Sequence, residues 1–280
     1  MDIQKVMAEM KKYLPALPAV RLKAEKGEPG LFDSKLGGTP YFPKDMEYPM
    51  GKTNAFRNQP LIMLAQLNFD ELPHIPDFPE KGMLQFFIAA DDLYGMASGY
   101  GEEMTAQNNF RVIYHETIIK DESCLLRPEE IPQYSGEDEL LLPFSGSYRL
   151  TACQAETLPA TACDYRFEEA FVRCYNEQAE EPIEALWDLD DETAEQIYTD
   201  ADSSFHAIIG GYPVFAQDDP RLDEALSDCD TLLFELNSVY DAPRGIDIMW
   251  GDMGTGAFMI PRKNLRELDF SRVLYNYDCS

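Results

Sequence analysis

LGGTPYFP at residues 36–43 and IGGYPVFA at residues 209–216 share the pattern Gly-Gly-x-Pro-x-Phe. Each is followed at a similar distance by a second matching element. Asn68 in LAQLN lies 31 residues after Gly37, and Asn237 in LFELN lies 27 residues after Gly210. Each asparagine precedes a glycine-led apolar strand, GMLQFFI in the first half and GAFMI in the second. Three matches in one order are hard to ascribe to composition. They imply an internal duplication, with two related half-units meeting around a shared core. The offset of about 170 residues is far too long for a solenoid, whose units run to roughly 20–50 residues.

Around that echo the chain reads as α+β, with mixed, largely antiparallel sheets and flanking helices. Apolar alternation or short apolar runs mark strands at 19–25, 61–69, 82–90, 110–118, 147–154, 231–239 and 256–261. Helical patterns occur at 165–178, in the acidic stretch after Pro182, and at 263–268. No regular βαβ alternation appears, which argues against a doubly wound nucleotide fold. At the N-terminus Ile3, Val6, Met7, Met10 and Leu14 form one helical stripe, with Asp2 placed to cap and Pro15 to stop it. Its three lysines lie mostly off the stripe, and docking on its own domain is expected. The expected organisation is a single domain over 1–280, with half-units at about 19–150 and 205–280 and an acidic helical connection over 165–204.

The charge is extreme and unevenly spread. Fifty-one acidic and 23 basic residues give a formal net charge of −28. Residues 1–60 hold ten basic and seven acidic side chains, so the remainder carries −31. Residues 177–202 alone contain eleven carboxylates and no Lys or Arg. Such a body repels nucleic-acid phosphates and anionic lipid headgroups, so neither nucleic acid nor membrane is expected as a partner. It attracts cations and basic protein surfaces. A hydrophobic content of 45% and an aromatic content of 12% belong to a folded chain. No run approaches the roughly 18–20 apolar residues of a membrane span, and the N-terminus lacks a secretory pattern. A cytoplasmic protein with reduced, mostly buried thiols is expected, because a chain this long does not need disulfides and shows no export signal; the six cysteines also include no C-x-x-C pair of the kind a zinc site uses.

Several stretches admit both a catalytic or cofactor role and a packing role. Gly37-Gly38 fits neither a P-loop nor a dinucleotide turn: Lys35 precedes the glycines and Pro40 opposes an immediate helix. Positive φ at the glycines and stiffening by Pro40 and Pro43 is the expectation, and likewise at Gly210, Gly211 and Pro213. In MWGDMGTGAFMI (249–260), Trp250 is a candidate stacking platform and Asp252 a candidate ligand contact. The competing reading has Trp250 packed and Asp252 in a turn. A cleft between half-units, with Gln66, Gln85 and Asp252 as polar contacts, is the natural ligand site. An EF-hand frame starting at Asp188 fails, with Thr193 where glycine is needed and Thr199 where glutamate is needed. QDDPR (217–221) reads as a charged turn. His74, His115 and His206 lie too far apart for a paired metal motif. No catalytic residue, metal site or cofactor is expected from these patterns.

SKLGGTPYFP (34–43), LAQLNFDELP (64–73), KGMLQFF (81–87) with DDLYG (91–95), IGGYPVFAQDDPR (209–221), WGDMGTGAFMI (250–260) and LDFSRVLYNYDCS (268–280) together resemble the YwqG-like family of bacterial proteins. The likeness runs from about residue 30 to the C-terminus, and the acidic middle stretch looks like a variable region. The resemblance implies an α+β protein of the bacterial cytoplasm. It brings no catalytic residues, since the family has no established activity. Some relatives are thought to lie near secreted-toxin genes, which implies an immunity-like role. The function expected is therefore a non-catalytic binding or interaction protein whose acidic surface docks a basic partner protein. The alternative is a small-molecule-binding protein or enzyme with a cleft between the half-units.

Overall fold

The computed structural model describes residues 2–199 and 205–279. The first half contains α1 (Ile3–Met10), β1 (Leu17–Lys26), β2 (Lys35–Gly37), β3 (Ile62–Asn68), β4 (Met83–Ile88), β5 (Phe110–His115), β6 (Ser147–Ala152) and β7 (Glu156–Leu158). Then come α2 (Phe167–Asn176), α3 (Asp191–Thr199), β8 (Ala207–Gly210), β9 (Thr231–Asn237), β10 (Val239–Asp241), β11 (Ile246–Ile248), β12 (Thr255–Ile260), α4 (Arg262–Arg266) and β13 (Leu274–Asp278). The fold is α+β with antiparallel strand pairing, as the sequence implied. Of the expected connection over 165–204, α2 and α3 are seen and residues 200–204 lie outside the described residues, as does Ser280.

Eleven strands form one sheet in the order β13-β12-β9-β8-β1-β6-β2-β3-β4-β5, with β7 beside β1. The middle is the antiparallel pair β1–β6. From it two meanders run outward, β2-β3-β4-β5 on one side and β8-β9-β12-β13 on the other. Every residue of β4, β9 and β12 is buried, so these strands read as continuous apolar runs with both faces covered. β6 alternates, burying Tyr148 and Leu150 while Arg149 and Thr151 face solvent.

The sheet curls until its far edges meet. Phe110 of β5 lies 5.2 Å from Tyr275 of β13, ring centre to ring centre. Phe258 of β12 stacks on Tyr275 at 4.3 Å, and Phe86 of β4 contacts Phe234 at 4.9 Å and Phe258 at 4.8 Å. One aromatic core is therefore filled from both arms, and such pairs add to the burial of each ring. The two-stranded β10–β11 hairpin ties the arms from another side. Tyr148 Oη donates to Asp247 O and accepts from Asp247 N, both at 3.2 Å, and Met249 N donates to Pro143 O at 2.6 Å.

The N-terminal helix docks on its own chain. Ile3, Val6 and Met10 of α1 pack with Phe167, Ala170, Phe171 and Cys174 of α2 and with Tyr212. Asp2 accepts from Lys5 N at 3.3 Å as N-cap. The helix stops at Met10, a turn earlier than the stripe suggested, yet Leu14 is still buried because Leu14 N bonds to Met10 O at 2.8 Å. Tyr212 Oη donates to Pro15 O at 2.6 Å and fixes this layer to the second glycine turn. No helix among the described residues is long and apolar enough to cross a membrane.

Candidate functional site

The two glycine pairs adopt one conformation. Gly37 and Gly38 have φ of 61° and 71°, and Gly210 and Gly211 have φ of 68° and 72°. Positive φ at two successive residues is open mainly to glycine. Close approach adds to the demand: a Cβ on Gly37 would lie 2.6 Å from Gly146 O, and one on Gly210 would strike Pro18 O. After each pair a proline turns the chain, and the next residue bonds to the neighbouring strand. Tyr41 N donates to Gln66 Oε1 at 2.9 Å, and Val214 N donates to Glu235 Oε2 at 2.9 Å. Gln66 and Glu235 each stand two residues before the asparagine of LAQLN and LFELN. The shared motif is thus a turn held by a buried side chain of the adjacent strand.

Beneath the first turn the polar groups are closed on themselves. Gln66 Nε2 donates to Leu31 O at 2.9 Å and Asp33 O at 3.0 Å. Gln85 Nε2 donates to Tyr41 O at 2.6 Å and Gln66 Oε1 at 2.9 Å. Gln85 Oε1 lies 2.9 Å from His115 Nε2. Burial lowers the His115 pKa to about 4, so the ring is neutral and carries its proton on Nε2, facing that carbonyl. Gln66 and Gln85 therefore hold the turn from behind, with their polar atoms used inside the protein.

Two cavities flank this turn, and Gly38 lines both. The larger, about 690 Å³, is walled by Leu31, Lys35, Leu125, Leu126, Arg127 and Ser147. The other, about 550 Å³, lies between Gly37, Met63 and Phe144 of one arm and Asp247 and Met249 beside the β10–β11 hairpin of the other. Lys35 is only 1% exposed. Its Nζ donates to Gly30 O at 2.8 Å and to Leu31 O at 3.4 Å. Burial lowers its pKa to about 8, against an opposing pull from Asp33, and Asp33 itself pairs with Arg149 at 2.7 Å.

The remaining expected contacts lie elsewhere. Trp250 is fully buried, its ring 5.1 Å from Tyr94 and 5.7 Å from Tyr277. Gly256 leaves room for it, since a Cβ there would sit 2.5 Å from the indole. Asp252 is exposed at the tip of the following turn. Gly210, Gly211 and Pro213 sit over a different polar cluster, built on Glu235, Asp278, Asp164, Asp219 and Arg221. In it Arg221 bonds Asp219 at 2.6 Å and Asp164 at 2.9 Å, with both partners buried. QDDPR is thus a turn, as read, but its arginine is an anchor. The sequence patterns point to neither Glu235 nor Asp278 as a site residue, and to Lys35 only as a residue on the wrong side of the glycines for a P-loop. The one signal for Glu235 was its place opposite Gln66 when LFELN is laid on LAQLN.

A search of curated proteins finds no match to the chain. Residues 34–279, which hold both glycine turns and every strand except β1, match the family described as Domain of unknown function (DUF1963), and the chain belongs to that family.

Proposed function

We propose that the protein binds a small organic anion in the cavity beside the Gly37-Gly38 turn, without catalysing a reaction on it. The observation that carries this reading is a buried ammonium, Lys35, bonded only to carbonyl oxygens on the wall of a cavity of about 690 Å³. That volume lies in the range of roughly 300–1,000 Å³ typical of ligand sites. Leu31, Leu125 and Leu126 offer an apolar wall; Lys35 brings positive charge to a lining that also holds Glu28, Glu122 and an Arg127 paired with Glu129 and Glu130. The ligand class is therefore an acid with an apolar body. We take the two arms to be related half-units, supported by the matched turns and mirrored strand order, and the cavity at Met249 to be the cleft between them. The six free cysteines accord with a cytoplasmic setting. Thermal-shift screening of carboxylate and phosphate metabolites tests the reading. Ser123 also lines this cavity and is exposed, so a hit should stabilise the protein but not Ser123→Trp, which fills the cavity from its rim. No stabilisation across a broad panel would refute it.

A second reading rests on Trp187. It is 81% exposed, with exposed Glu184, Asp188, Asp191 and Glu192 nearby in sequence. An exposed tryptophan among carboxylates suits a basic protein partner, with charge steering the encounter and the ring anchoring it. Affinity capture at low salt should recover a basic protein with the natural chain and lose it with Trp187→Ala. Equal recovery by both would reject the idea.

A further inference from the structure

The two turns rest on the same scaffold but on different side chains, and the second is short of partners. Gln66 pairs in register with Gln85, and Glu235 with Ala257. Asn68 faces Met83 and then His115, while Asn237 faces Thr255 and then Asp278. Gln66, Gln85 and His115 thus correspond to Glu235, Ala257 and Asp278. In the first arm the Gln85 carboxamide bridges Gln66 Oε1 and His115 Nε2, each at 2.9 Å. In the second arm alanine stands in its place, and Glu235 Oε1 and Asp278 Oδ1 are buried with no hydrogen-bond partner. Their other oxygens are engaged, Glu235 Oε2 by Val214 N at 2.9 Å and Asp278 Oδ2 by Gln217 N at 3.0 Å. Val214, Phe215 and Ala216 also wall a cavity of about 190 Å³ together with Asn237 and Thr255.

The charges around these two carboxylates do not balance. Asp164, Asp219, Asp278 and Glu235 are all buried. The cations that face them are Arg221 and Arg166. Arg221 holds Asp219 and Asp164 through Nε and Nη2, leaving its Nη1 buried without a hydrogen-bond partner, and Arg166 holds Asp164 at 2.8 Å. Fully ionised, the cluster holds two more carboxylates than guanidinium groups. Buried charge without a counter-charge is strongly unfavourable, so it is met by protons or by a cation.

We propose that Glu235 and Asp278 bind one small inorganic cation, in the space that the Gln85 carboxamide fills in the first arm. Alanine in place of glutamine frees the volume of four heavy atoms, enough for an ion or a water of roughly 30 Å³. Among the described residues no three His, Cys, Asp or Glu side chains gather as a metal site. The other ligands must then be backbone, amide or hydroxyl oxygens, or water. That all-oxygen set suits Na⁺, K⁺ or Ca²⁺ and not zinc, which favours nitrogen and sulfur. Burial raises the Glu235 carboxyl to about 8; the Val214 N–H bond opposes this, nearby Asp278 adds to it and Arg221 opposes it. Asp278 is raised as well, by burial and by Asp219. Cys163, the other titratable group close by, is also raised by burial and stays a neutral thiol. Cation entry displaces the Glu235 proton, so binding tightens as pH rises.

The test is thermal unfolding of the full chain in tetramethylammonium chloride at constant ionic strength. NaCl, KCl or CaCl₂ is titrated in at about pH 6 and about pH 8.5. The expected result is a saturable rise in Tm for one of these salts, about 5 °C at a hundredfold excess over Kd, with tighter binding at the higher pH. Glu235→Gln restores the residue type of the first arm, keeps an acceptor for Val214 N, and should abolish the response. Ala257→Gln should abolish it too, by placing the missing carboxamide while leaving both carboxylates. An absence of ion-specific stabilisation at either pH, or a response retained in both variants, would overturn the proposal.

Discussion

Replacing Glu235 by glutamine should stabilise the protein, by an amount that grows with pH. The Glu235 carboxyl is raised from 4.5 to about 8, first by burial and then by Asp278, with the Val214 N–H and Arg221 pulling the other way. Below pH 4.5 both folded and unfolded chains hold the proton, and the group gives no pH dependence. Between 4.5 and about 8 the folded chain keeps the proton and the unfolded chain has lost it. The folded state binds more protons there, so stability falls as pH rises, by about 1.4 kcal/mol per unit. Across the whole window the loss approaches 4–5 kcal/mol, to order of magnitude, and above it the curve is flat again. Glutamine has no proton to lose and occupies this position in the first arm, where Gln66 bonds to Tyr41 N. Urea unfolding of both proteins in tetramethylammonium buffers, from about pH 5 to about pH 9, measures the difference. The curves should nearly meet at the acid end and separate by several kcal/mol at the alkaline end. Parallel curves would show that Glu235 does not titrate in this window and would refute the argument.

Two further substitutions probe the scaffold. Arg221→Met leaves Asp164 and Asp219 buried without their shared counter-charge and should cost about 3–5 kcal/mol in chemical denaturation; a loss under about 1 kcal/mol would mean that water reaches the cluster. Gly37→Ala adds a side chain at φ 61° and against Gly146 O, for a loss of roughly 1–3 kcal/mol, while Gly30→Ala, at a position without positive φ, serves as the control and should cost less.

Reading the sequence captured what depends on local pattern. MLQFFI and TLLFELN are apolar runs long enough to announce buried strands, and the Ile3–Leu14 stripe announced a docked helix. It missed β2, β7, β8, β10, β11 and β13. Lys35–Gly37 and Ala207–Gly210 are only three and four residues long, too short for any periodicity. LYNYD alternates weakly, and it is a strand because Phe258 and Ala257 of β12 lie beside it. The candidate contacts show the same division. Gln66 and Gln85, named as contacts of a cleft, do sit at the turn, but whether their amides face a cavity or each other is set by Tyr41, Leu31 and His115 from distant segments. Trp250 admits two readings, a stacking platform or a packed ring, and it is packed: Tyr94, Tyr277 and Gly256 enclose it. Lys35 was noted only for standing on the wrong side of the glycines, and its burial depends on carbonyls at Gly30 and Leu31 that no spacing rule points to.

The central strand pair has a consequence for how the chain is made. β1 comes early in the sequence, yet its partners are residues 148–152 on one side, 156–158 beside it, and 207–210 on the other. At roughly 5–20 residues per second, a ribosome takes on the order of 10–40 s to travel from Leu22 to its strand neighbour Ala207. Until then the first strand has at most β6 and β7 as partners, and its edge at Val20 and Leu22, where β8 will pair, stays open to chaperones or to neighbouring chains. The meander β2-β3-β4-β5 can form meanwhile, because its pairings are local. The second meander is anchored through β1, a segment already waiting at the other end of the chain. Assembly should therefore be slow in its last step, and a nascent chain stalled before residue 207 should be the species most prone to aggregate.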